Sequence, residues 1–121
     1  MRAAERLSAE GVDLAVVNAR WVKPLDRELI ASTVRPGSLL VTVEDHNVMG
    51  GFGSAVLEAI SDLAIPDVAT LRLGVPDRFI AHATQTEQWR EVGLDEEGIY
   101  EQAWDFHLRR ERPPLVVVKG A

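Results

Sequence analysis

With 121 residues, 46% of them hydrophobic and 26% charged, the chain has the make-up of one ordinary globular unit, with room for a single core but none for a separate catalytic domain. A net charge of −6 speaks against a nucleic-acid surface or an anionic membrane as partner, and the lack of cysteine removes thiol nucleophiles, disulfides and thiolate metal sites together. No apolar run approaches the ~20 residues that span a bilayer and MRAAERLSAE has no signal-peptide core, so the expected setting is the cytoplasm.

Ala3, Ala4 and Leu7 recur at helical spacing, and Gly11 stops the helix they predict. VDLAVVNA, Val12 to Ala19, reads as a short apolar strand that Val22-Lys23-Pro24-Leu25 carries out of the sheet. Asp26 is placed to cap a helix reaching about Val34, and Arg35-Pro36-Gly37-Ser38 is a turn by composition. Leu39, Leu40, Val41 and Val43 predict a strand covered on both faces, and Ala55, Val56, Leu57, Ala59 and Ile60 predict the helix that follows. VATLRL, Val68 to Leu73, is the next strand. Thr84 with Glu87 forms a capping box for a short helix closed by Gly93, and Asp95 caps a longer one whose apolar face holds Ile99, Ala103 and Phe106, with Trp104 and Leu108 on its flank. Alternation of strand and helix implies parallel pairing in a three-layer α/β/α sandwich. The tail differs: RRERPP leads into LVVVKG, Leu115 to Gly120, a β-branched run that must pair or aggregate.

The richest segment joins the second strand to its helix. Glu44, Asp45 and His46 stand at the strand end, and Gly50, Gly51, Phe52 and Gly53 turn the chain so that a helix starts tight against it. Such a helix start favours anions, yet a phosphate would also meet two carboxylates. The turn reads either as a ligand or subunit contact or as a strand-to-helix turn that simply needs glycine; neither G-x-G-x-x-G nor G-x-x-x-x-G-K-[ST] is present. Metal binding by Glu44, Asp45 and His46 is disfavoured, because neighbours on an extended segment point to opposite sides. His46, His82 and His107 are too far apart for a helical pair, and Ser54 lacks the nucleophile-elbow setting. No catalytic, cofactor-binding or metal residue is assigned. Arg20 and Lys23 after the first strand, with Asp77 and Arg78 after the third, fall at the carboxyl edge beside Glu44, either as a functional cluster or as ion pairs that pin loops. Trp21, Trp89 and Trp104 read as core or interface anchors.

Four segments in order, VVNARWVKPLD, VTVEDHNVMGGFGSAVLEAI, LGVPDRFIAHATQTEQ and VGLDEEGI, resemble the C-terminal domain of the 1-deoxy-D-xylulose-5-phosphate synthases over about Arg2 to Trp104, with transketolase and the beta chain of the pyruvate dehydrogenase decarboxylase as looser relatives. Trp21 departs mildly from the family's usual phenylalanine. The resemblance implies a transketolase C-terminal fold and a full-length transferase that uses thiamine diphosphate and Mg²⁺ to join pyruvate-derived units to glyceraldehyde 3-phosphate for isoprenoid synthesis. Its catalytic groups belong to upstream thiamine-binding domains, so this chain alone is expected to be inactive. Glu44, Gly50, Gly51 and Gly53, with Asp45, His46 and Phe52, are then candidates for interdomain or subunit contact in a homo-oligomer, and Asp77 with Arg78 for bracing the following loop. A separately encoded subunit of a split transketolase-like enzyme and an independent small anion-binding module are the alternatives.

The family's edge strand and its central, glycine-ended strand are both missing ahead of Arg2. Residues 1–108 therefore read as the transketolase C-terminal-like domain and 109–121 as a tail whose candidate strand, 115–120, fills the vacant central position, within the chain or exchanged between two copies. A disordered extension is the competing reading.

Overall fold

The computed structural model describes residues 1–19, 24–110 and 115–120. Helix α1 (Arg2–Ala9) leads to strand β1 (Leu14–Asn18), α2 (Arg27–Thr33), β2 (Leu39–Asn47), α3 (Phe52–Asp62), β3 (Ala69–Val75), α4 (Gln85–Val92), α5 (Glu96–Arg109) and β4 (Leu115–Lys119). The four strands form one parallel sheet in the order β1-β4-β2-β3. The last strand in sequence is thus an inner strand in space.

Strand β4 registers Leu115 to Lys119 against Leu14 to Asn18 on one side and Leu39 to Val43 on the other. Its last hydrogen bonds run outward to both neighbours: Ala19 N donates to Lys119 O at 2.8 Å and Gly120 N to Val43 O at 2.8 Å. Without it, β1 would have no partner and β2 would be an open edge.

Strand alternation splits the core in two. On one face Leu39, Val41 and Val117 meet Leu7 of α1, Leu94, and Ala103 and Phe106 of α5. On the other, Leu40, Val116 and Val118 meet Ile30 of α2 and Phe52, Val56, Ala59 and Ile60 of α3. Helices therefore cover both faces, which gives the α/β/α layering that alternation of elements implies. Caps follow the sequence closely. Asp26 accepts from Leu29 N at 2.9 Å, Asp95 from Gly98 N at 3.0 Å, and Thr84 and Glu87 form a complete capping box. Two boundaries differ from expectation: β1 starts at Leu14, with Val12 buried just ahead of it, and β2 runs on through Glu44, Asp45 and His46 to Asn47, with its register to β3 broken between Val43 and Asn47.

Candidate functional site

The carboxyl ends of β2, β3 and β4 converge around the glycine turn. Glu44 points to the α3 side of the sheet, where its carboxylate accepts hydrogen bonds from Phe52 N at 2.9 Å and Gly53 N at 2.7 Å. Only 4% of Glu44 is exposed. The first turn of α3 would otherwise present unpaired N–H groups, and a carboxylate there gains both hydrogen bonds and the favourable end of the helix dipole. An anion seat does exist at this turn, and the protein's own side chain fills it.

The glycines explain how Glu44 comes so close. A Cβ on Gly51 would overlap Glu44 Oε1 and Asn47 O, and one on Gly53 would meet Thr42 Oγ1 and the Arg72 side chain. Gly50, at φ +68°, supplies the left-handed backbone that reverses the chain. A second bracket holds the turn from outside: Arg72 Nη1 of β3 donates to Ser54 Oγ at 2.9 Å and Val48 O at 3.3 Å, and Ser54 Oγ accepts from Gly50 N at 3.2 Å.

Asp45, one residue on, faces the opposite way. Its carboxylate accepts from Trp89 Nε1 at 2.8 Å and Gln85 Nε2 at 3.3 Å, which ties α4 to the end of β2. Two adjacent carboxylates thus fasten two helices on opposite sides of the sheet. Trp89 and Trp104 pack against the α1/α5 core while Trp21 lies outside the described residues, as do Arg20 and Lys23 of the expected edge cluster. Asp77 accepts from Asn47 Nδ2 at 3.4 Å, and Arg78 pairs with Glu91 of α4 at 3.1 Å; neither pairs with Glu44. Among the described residues no three His, Asp or Glu side chains gather closely enough to hold a metal ion.

The expected contact set divides by burial. Glu44, Phe52 and Gly53 are buried and support the turn; Asp45, His46, Gly50 and, in part, Gly51 are on the surface. Sequence reasoning missed two highly exposed apolar side chains of this edge, Met49 at 65% in the glycine turn and Phe79 at 89% in the loop after β3. It also missed Arg72, whose register opposite Thr42 places it on the α3 face and was the available signal.

A family described as "Transketolase, C-terminal domain" matches residues 1–99. The chain is 54% identical over 97 residues to 1-deoxy-D-xylulose-5-phosphate synthase 1 of Geobacter metallireducens, covering 80% of this chain and 16% of the relative. It is 52% identical over 99 residues to 1-deoxy-D-xylulose-5-phosphate synthase 2 of Geobacter sulfurreducens, covering 82% and 16%. A solved structure described as "Split gene transketolase, inactive beta4 tetramer" superposes with a TM-score of 0.72 at 36% identity over 85% of this chain and 33% of that one. The chain therefore spans about a sixth of the length of the curated relatives it matches.

Proposed function

Because the chain belongs to the transketolase C-terminal domain family, we propose that it is the non-catalytic C-terminal domain of a cytoplasmic, thiamine-diphosphate-dependent 1-deoxy-D-xylulose-5-phosphate synthase, giving contact surface to upstream thiamine-binding domains and to a second copy. The full enzyme would join a two-carbon unit from pyruvate to glyceraldehyde 3-phosphate for isoprenoid synthesis. This chain contributes no reacting group to that chemistry.

The observation that carries the reading is the contrast within the carboxyl edge. The helix start at the glycine turn is closed by Glu44, while Met49 and Phe79 stand out into solvent on segments braced by Arg72–Ser54 and Arg78–Glu91. Braced, exposed apolar side chains fit docking, since little order has to be imposed on binding. The donors and acceptors here do not suit thiamine diphosphate: the helix N-terminus that could receive its diphosphate already holds a carboxylate, and Asp45 is committed to Trp89 and Gln85. The independent anion-binding alternative rests instead on Arg20, Lys23 and Arg78, of which Arg20 and Lys23 lie outside the described residues.

Mixing the chain with the separately produced upstream portion of the Geobacter metallireducens synthase should give one co-eluting species. The double variant M49S/F79S should weaken that association about tenfold or more while the chain's own melting midpoint stays put. Independent elution of the wild-type chain contradicts the reading. A second form of it, a subunit encoded apart from its catalytic partner, is favoured by the likeness to the split-gene transketolase structure. Co-purification with a thiamine-binding chain from the native source distinguishes it.

A further inference from the structure

The sheet has two edges, and they are finished differently. Strand β3, at one of them, carries Arg72, whose guanidinium is tied to Ser54 and Val48, and its register to β2 breaks toward its end. Charge and irregular register are ordinary means by which an edge is kept from pairing. Strand β1, at the other edge, is Leu14-Ala15-Val16-Val17-Asn18, without charge, proline or glycine. That is the composition of an inner strand set at the rim of a sheet. Leu14 packs with the α1/α5 core and Val17 with the α2/α3 core, yet Ala15 and Val16 are exposed, Val16 at 37%.

The backbone shows which groups of β1 are free. Ala19 N donates to Lys119 O of β4, and the N–H and C=O groups of successive strand residues point to alternate sides. Those of Ala15 and Val17 therefore point to β4 as Ala19 does, and those of Leu14, Val16 and Asn18 point out of the sheet. Val16 stands at the middle of this outward set.

We propose that β1 is a pairing edge for a second copy of this chain, the two β1 strands running antiparallel across a two-fold axis at Val16 so that both sheets become one. Val16 then faces its own counterpart and Leu14 faces Asn18, and each facing pair exchanges both hydrogen bonds. Moving the axis by one residue leaves Leu14 or Asn18 facing beyond the strand. The chain has a net charge of −6, but this segment carries none, so pairing sets no like charges opposite one another. A strand of other sequence satisfies only the backbone. A second copy also lays the exposed Val16 side chain against its counterpart on the same face, and the two-fold uses up both free edges, so association stops at two. This surface lies at the opposite edge from β3, after which Phe79 stands, and goes beyond the docking role proposed above.

Sedimentation of the full chain from about 1 to 300 µM should show the mean mass rising from one copy to two and no further. Val16→Lys and Val16→Glu each set like charges opposite across the axis and should hold the chain at one copy, with melting midpoints in dilute solution within about 3 °C of the unaltered chain. Mixed in equal amounts, the two variants should pair again. The chain has no cysteine, so Val16→Cys puts one thiol on the axis, where facing Cα atoms about 5.5 Å apart suit a disulfide. Mild oxidation should cross-link it about tenfold faster than Glu58→Cys, an exposed control on α3. A chain that stays single at about 300 µM, growth past two copies, charge variants that do not pair when mixed, or equal cross-linking of the two thiols overturns the proposal. None of these readouts involves Met49 or Phe79, so the outcome is separate from that of the docking test.

Discussion

The two faces of the sheet are built from the same strands and end up differently packed. On the α2/α3 face the hollow beside Ala19, Ile30 and Phe52 has a volume of about 10 Å³, at the lower limit for a single water, whereas the α1/α5 face leaves about 410 Å³. The difference lies in how each helix meets the strand ends. Helix α3, eleven residues long, is drawn against the carboxyl edge by Glu44 and by glycines that let backbone approach side chain: Gly53 lies against Thr42, and a Cβ on Gly120 would come within 3.1 Å of the Phe52 ring. Helix α1 is shorter and has no cap of that kind. Close packing at a sheet end needs an anchor as well as an apolar face.

Strand β4 lets the contrast be tested within two residues, since Val118 faces the dense side and Val117 the hollow one. Val118→Asp buries an unpaired charge where there is room for at most a single water and should cost more than about 4 kcal/mol, enough to unfold a domain of ordinary stability. Val117→Asp, beside a cavity that admits water, should cost about half as much and leave a folded chain; urea titration followed by circular dichroism compares the two. Equal losses would erase the distinction between the faces.

Next in size is Glu44→Ala. It leaves Phe52 N and Gly53 N unpaired in a buried place, with an expected loss of about 3 kcal/mol and a fall in melting midpoint of about 10 °C. Glu44→Gln keeps an acceptor without the charge and should lose less. An undiminished midpoint in both would show that α3 is held by apolar contacts alone.

The smallest effect concerns α4 on the hollow side. Thr84 holds the Glu87 carboxyl below its usual range, first through its hydroxyl and then through its backbone N–H. A folded-state value below the unfolded one means that this contribution is fully present above the ordinary glutamate range and fades as pH falls through the lowered value. Amide protection at Gln85 to Gln88, taken relative to the intrinsic exchange rate at each pH, should therefore fall at acid pH before that of the rest of the sheet, and Glu87→Gln should remove most of that pH dependence.

Much of the architecture is legible in the chain because it is encoded locally. Period and caps mark α2, α4 and α5 through Asp26, Thr84 with Glu87, and Asp95, and apolar runs mark the strands. The inner position of β4 is a different matter. LVVVKG reads as a strand from its β-branched residues, but only the family resemblance suggests where it pairs, since no local pattern says which edges stand open. Glu44 shows the limit most clearly. Alternation tells that it faces away from Asp45, yet nothing in the neighbouring residues says that a helix start lies beneath one and the Trp89 indole, forty-four residues on, beneath the other. The cavity depends on how far α1 reaches along the strands, and Phe79 on a loop path; neither has a sequence period. Of the expected edge cluster, Asp77 and Arg78 take separate partners and Arg20 and Lys23 lie outside the described residues.

The most direct test of the account asks whether the anion seat is closed. In a ¹⁵N-labelled chain titrated with thiamine diphosphate and Mg²⁺, the amide signals of Phe52 and Gly53 should stay fixed up to millimolar ligand, because Glu44 already holds both N–H groups. Saturable shifts of those two signals at micromolar ligand would show that the seat opens to a phosphate, and a domain that serves contact alone would no longer describe this protein.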